Sequence, residues 1–310
     1  MLPRLIAIDL DGTLLDSSGQ VSHRNLAALH LAESSGIEIV ISTGRRHSFA
    51  MHVLRDLHLR PASAVVSSND TVIRTVDSKL IHRTHLPLST ARWLCAHLND
   101  YRNTLVLTFD LTGPDGEDSR GAIVVEHLEE LNTSIGRWMR ANERYILQVC
   151  PIEDALLDDA NLPIQMMLCG PVARMSQAEA HLNTHPLITA VGGHDAPNAE
   201  VALHRTTYPE SDLTLLDILP AGCSKASALE HLAALRGFSA ADILAIGDNW
   251  NDVAMLRLSG QAALMSNAPD DLKALAAASG WTIVPSNDEY GVAVAIESVL
   301  SVSAETATCR

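Results

Sequence analysis

Short apolar runs that alternate with helical patterns constrain the fold of this chain most strongly. The runs Leu5–Ile8, Ile37–Ile41 and Ala64–Val66 are rich in β-branched residues and apolar on both faces, which is typical of strands inside a parallel sheet. Helical patterns separate these runs, and the first helix is expected to follow Ser22 and to end at Gly36. This order predicts an α/β fold with a doubly wound, mostly parallel, Rossmann-like sheet.

The same alternation returns near the end of the chain. The strands expected there are Leu213–Leu219, Asp242–Ile246, Ala262–Met265 and Thr282–Val284. Between the two regions, moderate strand and helix patterns are mixed, and the loop Gly113–Gly121 is polar. We therefore expect residues 1–85 and 206–310 to form one core, and residues 86–205 to form an inserted α+β domain.

The charge balance restricts the partners of the protein. Lys and Arg number 22 and Asp and Glu number 37, which gives a net charge of −15 over 310 residues. A chain this acidic is repelled by nucleic-acid backbones and anionic lipid, and aromatic residues, at 4%, are too few for a surface that stacks bases. No apolar stretch is long enough to span a bilayer. We expect no nucleic-acid or membrane partner.

Cysteine usage indicates the compartment. The five cysteines are widely scattered and none forms a CxxC pair, which is typical of free thiols in a reducing environment. The apolar run near the start is too short for a signal peptide. We therefore expect a cytoplasmic location.

Two carboxylates follow the first expected strand, in the motif Asp9-Leu10-Asp11-Gly12-Thr13. Strand alternation places Asp9 and Asp11 on one side, and Gly12 allows a tight turn away from the strand. Carboxylates this close repel each other unless a cation or a shared proton intervenes, and Mg²⁺ prefers such hard oxygen ligands. A solvated acidic turn at the end of a strand explains this motif alone equally well.

Two further motifs carry groups that bind phosphate. Thr43-Gly44, within Ser-Thr-Gly-Arg, follows the second expected strand and offers a hydroxyl and backbone N–H groups. Lys225 lies in the first turn of an expected helix, where the helix dipole disfavours a cation. Taken singly, an ordinary strand–helix turn and a solvated helix residue explain these motifs as well.

A last motif, GDNWND, follows the expected strand that ends at Ile246. Asp248 at the strand tip can complete a Mg²⁺ site with Asp9 and water. A structural role alone can also explain the aspartate at position 252, because it can cap the helix that follows.

The four motifs occur together and in this order, and with them the chain resembles the Cof-type sugar phosphatases of the haloacid dehalogenase superfamily. The stretches that carry the resemblance are RLIAIDLDGTLLDS, IVISTGR, GCSKASALEHL, ILAIGDNWNDVAML, SNAPDDLKALA and SNDEYGVAVAIE. They cover both halves of the core and little of the insert. The resemblance implies that residues 86–205 form a mobile cap that sets specificity for the leaving group.

The resemblance also implies a role for each matching residue. Asp9 matches the nucleophile that forms an aspartyl-phosphate, and Asp11 matches the general acid and base. The residues that match phosphate or substrate contacts are Leu10, Thr43, Gly44, Lys225 and Asn251. The Mg²⁺ site matches Asp9, Asp11 (usually through its backbone carbonyl) and Asp248, with Arg45 and Asp252 in support.

The sequence identifies the residues that set substrate specificity less clearly than it identifies the catalytic residues. Polar residues on loops of the insert are candidates, namely Asp115, Glu117, Arg120, His194 and Asp195. Where the family commonly has Ser-Asn-Gly-Ala after the third strand, this chain has Asp70 in place of the glycine. Since Asp tolerates left-handed backbone better than most residues, we expect the turn to survive.

The leading hypothesis is a Mg²⁺-dependent phosphatase that acts on a small phosphorylated metabolite such as a sugar phosphate. A phosphomutase or phosphotransferase would use the same core with an acceptor hydroxyl in place of water. A silent phosphate-binding module is the third alternative. Release of free phosphate separates the first from the second, and turnover of any phosphate ester excludes the third.

Overall fold

The structure, a computed structural model, describes residues 2–157, 159–190 and 198–308. The strands in chain order are β1 (Leu5–Asp9), β2 (Glu38–Ser42), β3 (Ala64–Ser67), β4 (Val72–Thr75), β5 (Leu80–Arg83), β6 (Leu105–Phe109), β7 (Ile123–Val125), β8 (Ile146–Gln148), β9 (Pro163–Gly170), β10 (Ile188–Ala190), β11 (Val201–Tyr208), β12 (Leu213–Pro220), β13 (Ile243–Gly247), β14 (Gln261–Met265) and β15 (Thr282–Val284). The α-helices are α1 (His23–Ser34), α2 (His47–Leu54), α3 (Leu88–His97), α4 (Glu129–Ala141), α5 (Val172–Leu182), α6 (Lys225–Arg236), α7 (Val253–Leu258), α8 (Asp270–Ser279) and α9 (Gly291–Thr308).

The chain divides into two units. One unit comprises residues 1–81 and 224–310, and the other comprises residues 82–223. In the described part of the chain, no helix combines the length and the apolar character that crossing a membrane requires.

An eight-stranded sheet has the strand order β15-β14-β13-β1-β2-β3-β4-β5, and all of it belongs to the first unit except the last two residues of β5. Neighbouring strands from β15 to β3 pair in parallel, and β4 pairs antiparallel with β3. Apolar side chains of α1, α2 and α9 pack on one face, and those of α6, α7 and α8 pack on the other. The predicted doubly wound, mostly parallel α/β core is confirmed.

Fully buried β-branched and aliphatic side chains explain why these runs form strands. Ile6, Ile8 and Ile39 face the cluster beneath α1, α2 and α9, whereas Leu5 and Val40 face the opposite cluster. Because both faces are covered by helices, these strands show continuous apolar runs, without the alternation of a half-exposed strand.

The second unit contains a seven-stranded sheet with the order β10-β11-β12-β9-β6-β7-β8. Its central pairings are antiparallel, while both edge pairings, β10 with β11 and β7 with β8, are parallel. Helices α3 and α5 cover one face of this sheet and α4 covers part of the other. The mixed strands and helices agree with the expected α+β insert.

One expected core strand belongs to the other sheet. The run Leu213–Leu219 was expected in the parallel core, but it lies in β12, which pairs antiparallel with β9 and β11. The division between the units accordingly falls after residue 223, whereas the sequence placed it before residue 206. An apolar strand has the same local pattern in either sheet, so pairing partners decide its place.

The turn after β3 is an unusual piece of backbone. Ser68, Asn69 and Asp70 all have positive φ, at 53°, 52° and 77°. Left-handed backbone costs about 1–2 kcal/mol per residue for most side chains, and Asn and Asp adopt it most readily. Asp70 thus adopts the left-handed conformation that a glycine would take.

Candidate active site

The tips of β1 and β13 lie side by side at the point where the winding of the core sheet reverses. Ile8 pairs with Ile246, so Asp9 at the end of β1 and Asp248 directly after β13 reach the same edge of the sheet. In open α/β sheets, this edge at the switch point is where ligands bind.

A buried lysine joins two carboxylates at this edge. Lys225 Nζ donates to Asp9 Oδ1 at 2.5 Å and to Asp252 Oδ1 at 2.6 Å. The side chains of Lys225, Asp9 and Asp252 are only 3%, 7% and 0% exposed. The backbone carbonyl of Ser42, at the end of β2, lies 3.4 Å from the same ammonium. Burying these charges is tolerable because each has a partner of opposite sign.

The start of α6 places Lys225. Ser224 caps this helix, accepting a hydrogen bond from the backbone N–H of Ser227, and the Ser227 hydroxyl accepts one from the backbone N–H of Ser224. The capping box fixes the first turn and so directs the Lys225 side chain to the strand tips. The ion pairs with two carboxylates offset the unfavourable position of a cation in that turn.

Asp252 uses both of its carboxylate oxygens within the protein. Oδ1 accepts from Lys225, while Oδ2 accepts from the backbone N–H groups of Asp248 at 2.9 Å and Asn249 at 3.0 Å. A Cβ on Gly247 would lie 2.6 Å from the Cβ of Asp252. Glycine at position 247 therefore allows Asp252 to fold back on the turn, where it orients Lys225 and the backbone of Asp248.

Asp248 is held against the turn that follows Asp9. Thr13 Oγ1 donates to Asp248 Oδ1 at 2.9 Å. A Cβ on Gly12, where φ is +78°, would lie 2.5 Å from Asp248 Oδ2. Only glycine combines this backbone conformation with so close an approach.

Crowded negative charge changes the acidity of the site. Burial raises the pKa of Asp9 well above its ordinary value; the Lys225 ammonium opposes this shift, whereas the charges of Asp252 and Asp248 reinforce it. Burial, together with the charge of Asp252, raises the pKa of Asp248 to about 6. Burial lowers the pKa of Lys225, but the carboxylates of Asp252 and Asp9 outweigh it, and the net shift is upward.

The donor set fits a divalent cation. Carboxylate oxygens of Asp9, Asp248 and Asp252 all lie within 4.8 Å of one another, and the three residues are buried. Asp252 Oδ1 accepts from Lys225 at 2.6 Å, and Oδ2 accepts from two backbone N–H groups at 2.9 Å and 3.0 Å. The contact from Asn267 to Asp248 Oδ2 is longer, at 3.4 Å, so Asp248 is better placed than Asp252 to hold an ion together with Asp9. Burial, reinforced by the neighbouring carboxylates, raises the pKa of both Asp9 and Asp248, and a hard divalent cation held between them would offset this cost of keeping the two groups charged.

Asp11 lies apart from this carboxylate cluster. Its side chain is 57% exposed and accepts two hydrogen bonds from Arg45, from Nε at 2.9 Å and from Nη2 at 2.5 Å. The guanidinium also lies over the Phe49 ring, 5.1 Å from its centroid. The Asp11 carboxylate is thus not part of the cluster of Asp9, Asp248 and Asp252. The metal contact that the resemblance implies for Asp11 is through its backbone carbonyl, and that contact stays a prediction.

Thr43 and Gly44 follow β2 next to the left-handed turn. The backbone N–H of Thr43 donates to Val66, and its hydroxyl accepts from the backbone N–H of Arg45 at 3.1 Å. A Cβ on Gly44 would lie 2.7 Å from Asn69 Oδ1. The small residue thus lets the Asn69 side chain approach the backbone beside Thr43.

The remaining residues that the sequence predicted for the site differ in burial and in their contacts. Leu10 is fully buried, and Asn251 is half-buried in the short turn that carries Asp252. In the second unit, Glu117 accepts hydrogen bonds from Arg144 and Tyr145, Asp115 accepts one from the backbone of its own loop, and Arg120 is exposed. His194 and Asp195 lie outside the described residues.

Thr13 and Asn267 contact the site, although the sequence motifs did not predict a role for either residue. Thr13 donates to Asp248, and Asn267 Nδ2 donates to the backbone carbonyl of Gly12 at 2.9 Å. Both residues lie within stretches that carry the family resemblance, DLDGT and SNAPDD. Their position within those stretches was the sequence signal that could have identified them as site residues.

Comparison with known proteins identifies the family and several relatives of this chain. The profile of the haloacid dehalogenase-like hydrolases matches residues 6–296. Phosphatase YwpJ of Bacillus subtilis is 30% identical over 96% of this chain and 100% of its own length. The 5-amino-6-(5-phospho-D-ribitylamino)uracil phosphatase YwtE of the same organism is 28% identical over 96% of this chain and 98% of its own length.

Solved structures share the fold. A haloacid dehalogenase-like hydrolase from Bacteroides thetaiotaomicron superposes with a TM-score of 0.73 at 24% identity, covering 96% of this chain and 99% of its own. The resemblance that the four motifs indicated is confirmed, and the chain belongs to the haloacid dehalogenase-like hydrolase family.

Proposed function

We propose that this protein is a Mg²⁺-dependent phosphatase of small phosphorylated metabolites that works through an aspartyl-phosphate on Asp9. Family membership and the phosphatase relatives support the reaction class. The observation that carries the proposal is the buried arrangement in which Lys225 bridges Asp9 and Asp252 beside Asp248.

Asp9 supplies the nucleophile. A carboxylate oxygen of Asp9 forms a bond to phosphorus while the bond from phosphorus to the ester oxygen breaks. Lys225 opposes the rise that burial causes in the pKa of Asp9, and its ammonium lies where it can also balance charge on the phosphate. The Thr43 hydroxyl and nearby backbone N–H groups are the proposed contacts to the remaining phosphate oxygens.

Asp11 transfers the proton. It protonates the leaving alkoxide in the first step, and in the second step it takes a proton from the water that attacks phosphorus and releases Asp9. Its exposed carboxylate can reach solvent and substrate, and Arg45 orients it. Asp252 does not react in this scheme, because its oxygens are used to place Lys225 and the backbone of Asp248.

Asp9 and Asp248 would hold the Mg²⁺, with the Asp11 backbone carbonyl as a further proposed ligand. The ion would shield the nucleophile from the phosphate, since two anions must approach each other. Raised pKa values at both carboxylates fit this requirement.

Phosphorylated sugars and polyols are the substrates that we expect. The name of one relative specifies a phosphate on a ribitylamino group, and this protein aligns with nearly the full length of that relative. We propose that the second unit acts as a cap that sets specificity for the leaving group.

The test is phosphate release from an aryl phosphate and from a panel of sugar and polyol phosphates. Wild-type protein should release phosphate with Mg²⁺ and lose this activity with EDTA, and Asp9→Asn should be inactive in both. Full activity of Asp9→Asn would overturn the nucleophile assignment. Isomerised sugar phosphate without free phosphate would favour the mutase alternative, and failure to turn over any ester would favour a silent binding module.

A further inference from the structure

The side-chain amide of Asn267, just after β14, joins the start of the chain to its late motifs. Asn267 Nδ2 donates to the backbone carbonyl of Gly12 at 2.9 Å and lies 3.4 Å from Asp248 Oδ2. Asn267 Oδ1 accepts from the backbone N–H of Asn287 at 3.1 Å. One side chain therefore contacts the turn after Asp9, the strand-tip carboxylate and the segment before α9.

These contacts fix the orientation of the amide. A carbonyl such as that of Gly12 only accepts, and a backbone N–H such as that of Asn287 only donates. The amide group can satisfy both partners in one orientation alone, with Nδ2 toward Gly12. Its second N–H is then directed to the Asp248 carboxylate.

Asn287 extends the connection. Its side-chain Nδ2 donates to the backbone carbonyl of Leu15 at 2.8 Å, while its backbone N–H holds Asn267. The two asparagines thus tie the Gly12–Leu15 turn to the segment after β15 without any charged group.

We infer that Asn267 is a positioning residue for the divalent cation, holding the Asp248 carboxylate and the Gly12 peptide in the arrangement that binds the metal. Asp248 Oδ1 accepts a hydrogen bond from Thr13, and Oδ2 lies 3.4 Å from Asn267 Nδ2. Both carboxylate oxygens are therefore contacted by residues that do not belong to the cluster of acidic residues. Groups that orient metal ligands commonly affect metal affinity by about 10–100-fold when they are removed. This inference rests on the proposed function for the identity of the metal.

Calorimetric titration of the metal-free full-length protein with Mg²⁺, without substrate, tests the inference. We expect Asn267→Ala to lower the Mg²⁺ affinity at least about tenfold, while saturating Mg²⁺ restores most of kcat. The matched control is Asn287→Ala, which loses the contact to Leu15 but keeps the backbone N–H that holds Asn267, and its Mg²⁺ affinity should stay close to wild type. Circular dichroism confirms that each variant is folded at the titration temperature.

The variant Asn267→Asp distinguishes a positioning role of the side chain from an effect of negative charge on Mg²⁺ binding. Its carboxylate still accepts from Asn287, but it turns an oxygen toward the Gly12 carbonyl and Asp248, so a positioning role predicts weaker Mg²⁺ binding in spite of the added negative charge. Tighter binding by Asn267→Asp, or unchanged binding by Asn267→Ala, would overturn the inference.

The Mg²⁺ titration tests the role of Asn267, and the turnover assay tests the proposed function, so either hypothesis can fail without the other. If wild-type protein binds Mg²⁺ but hydrolyses no phosphate ester, the proposed function fails, and the affinities of the variants still decide the role of Asn267. If wild-type protein binds no Mg²⁺, the inference is overturned whatever the turnover.

Discussion

Lys225 Nζ lies between Asp9 Oδ1 and Asp252 Oδ1, at 2.5 Å and 2.6 Å, so one buried ammonium serves two carboxylates from distant parts of the chain. Asp9 ends β1, whereas Asp252 follows β13. The ion pairs therefore join the nucleophile proposed here to the turn that carries Asp248.

Replacing Lys225 by Met should lower both activity and stability. The change leaves two buried carboxylates without their cation, and breaking a buried ion pair costs about 3–5 kcal/mol. We expect urea denaturation at pH 7 to show a loss of about 3 kcal/mol in the free energy of unfolding, and phosphate release to become undetectable.

The matched control for Lys225 is Lys273→Met. Lys273 pairs with Asp270, whose side chain is 99% exposed, and pairs of this kind contribute below about 1 kcal/mol. Equal loss of stability in the two variants would contradict the role assigned to Lys225.

In the metal-free protein, the contribution of Asp248 to stability should fall as the pH rises from about 4 to about 6. Burial and the charge of Asp252 raise the pKa of Asp248 to about 6 from 3.8, so the folded protein holds this proton more tightly than the unfolded chain does. The proton stabilises the fold below the unfolded pKa, and this contribution is lost as the pH rises through the folded value, by up to about 3 kcal/mol.

Urea denaturation of metal-free wild type and Asp248→Asn across this pH range measures the effect. The difference between the two proteins isolates residue 248 from the other titrating groups, and the Asn variant should lack that part of the slope. In wild type, the Mg²⁺ affinity should rise over the same range, because the metal competes with the proton. Parallel stability curves for the two proteins would contradict this account of Asp248.

Gly12→Ala and Gly19→Ala should differ in their effect on Mg²⁺ affinity and turnover, although the two glycines have nearly the same φ. Both glycines have positive φ, at 78° and 79°, so both substitutions carry similar backbone strain of about 1–2 kcal/mol. A Cβ at position 12 would meet Asp248 Oδ2 at 2.5 Å, whereas nothing lies within 4 Å of a Cβ at position 19.

We therefore expect Gly19→Ala to keep its activity and Gly12→Ala to lose most of its Mg²⁺ affinity and turnover. The measurements are Mg²⁺ titration and phosphate release, with thermal melting as the check on folding. If both variants lost activity equally, strain rather than the approach to Asp248 would be the cause.

Arg45→Met should reduce turnover and leave stability nearly unchanged. Asp11 is mostly exposed, so its ion pair with Arg45 contributes below about 1 kcal/mol to folding. Loss of the two hydrogen bonds frees the Asp11 carboxylate, and general acid–base catalysis is worth about 10²–10⁴-fold, so a drop of about tenfold in kcat is expected.

Arg24→Met is the control for Arg45. Arg24 donates two hydrogen bonds to exposed Glu297, which repeats the Arg45–Asp11 geometry at another place. Its kcat should equal that of wild type. A normal kcat in Arg45→Met would remove Arg45 from the mechanism.

The sequence predicted the parts of the fold and the site that depend on local patterns. The apolar runs around Ile8, Ile39 and Ile246 are strands because helices cover both faces of the sheet. The residues at the tips of parallel strands then meet at one edge, which brings Asp9 and Asp248 together.

What depends on distant pairing could not be predicted. The run Leu213–Leu219 shows no local sign that β9 and β11 are its partners. The amide of Asn267 reaches Gly12 across 255 positions of sequence, and its orientation depends on the backbone N–H of Asn287. The ion pair between Asp11 and Arg45 likewise arises where the residues that follow β1 and β2 meet.

The most direct test of the aspartyl-phosphate on Asp9 is chemical trapping during turnover. Wild-type protein is mixed with Mg²⁺ and a phosphate ester, quenched in acid and reduced with borohydride, which converts an aspartyl-phosphate to homoserine. Peptide mass spectrometry should then find homoserine at position 9 alone, and none without Mg²⁺. Homoserine at another aspartate, or an unmodified Asp9 in protein that is releasing phosphate, would contradict the account.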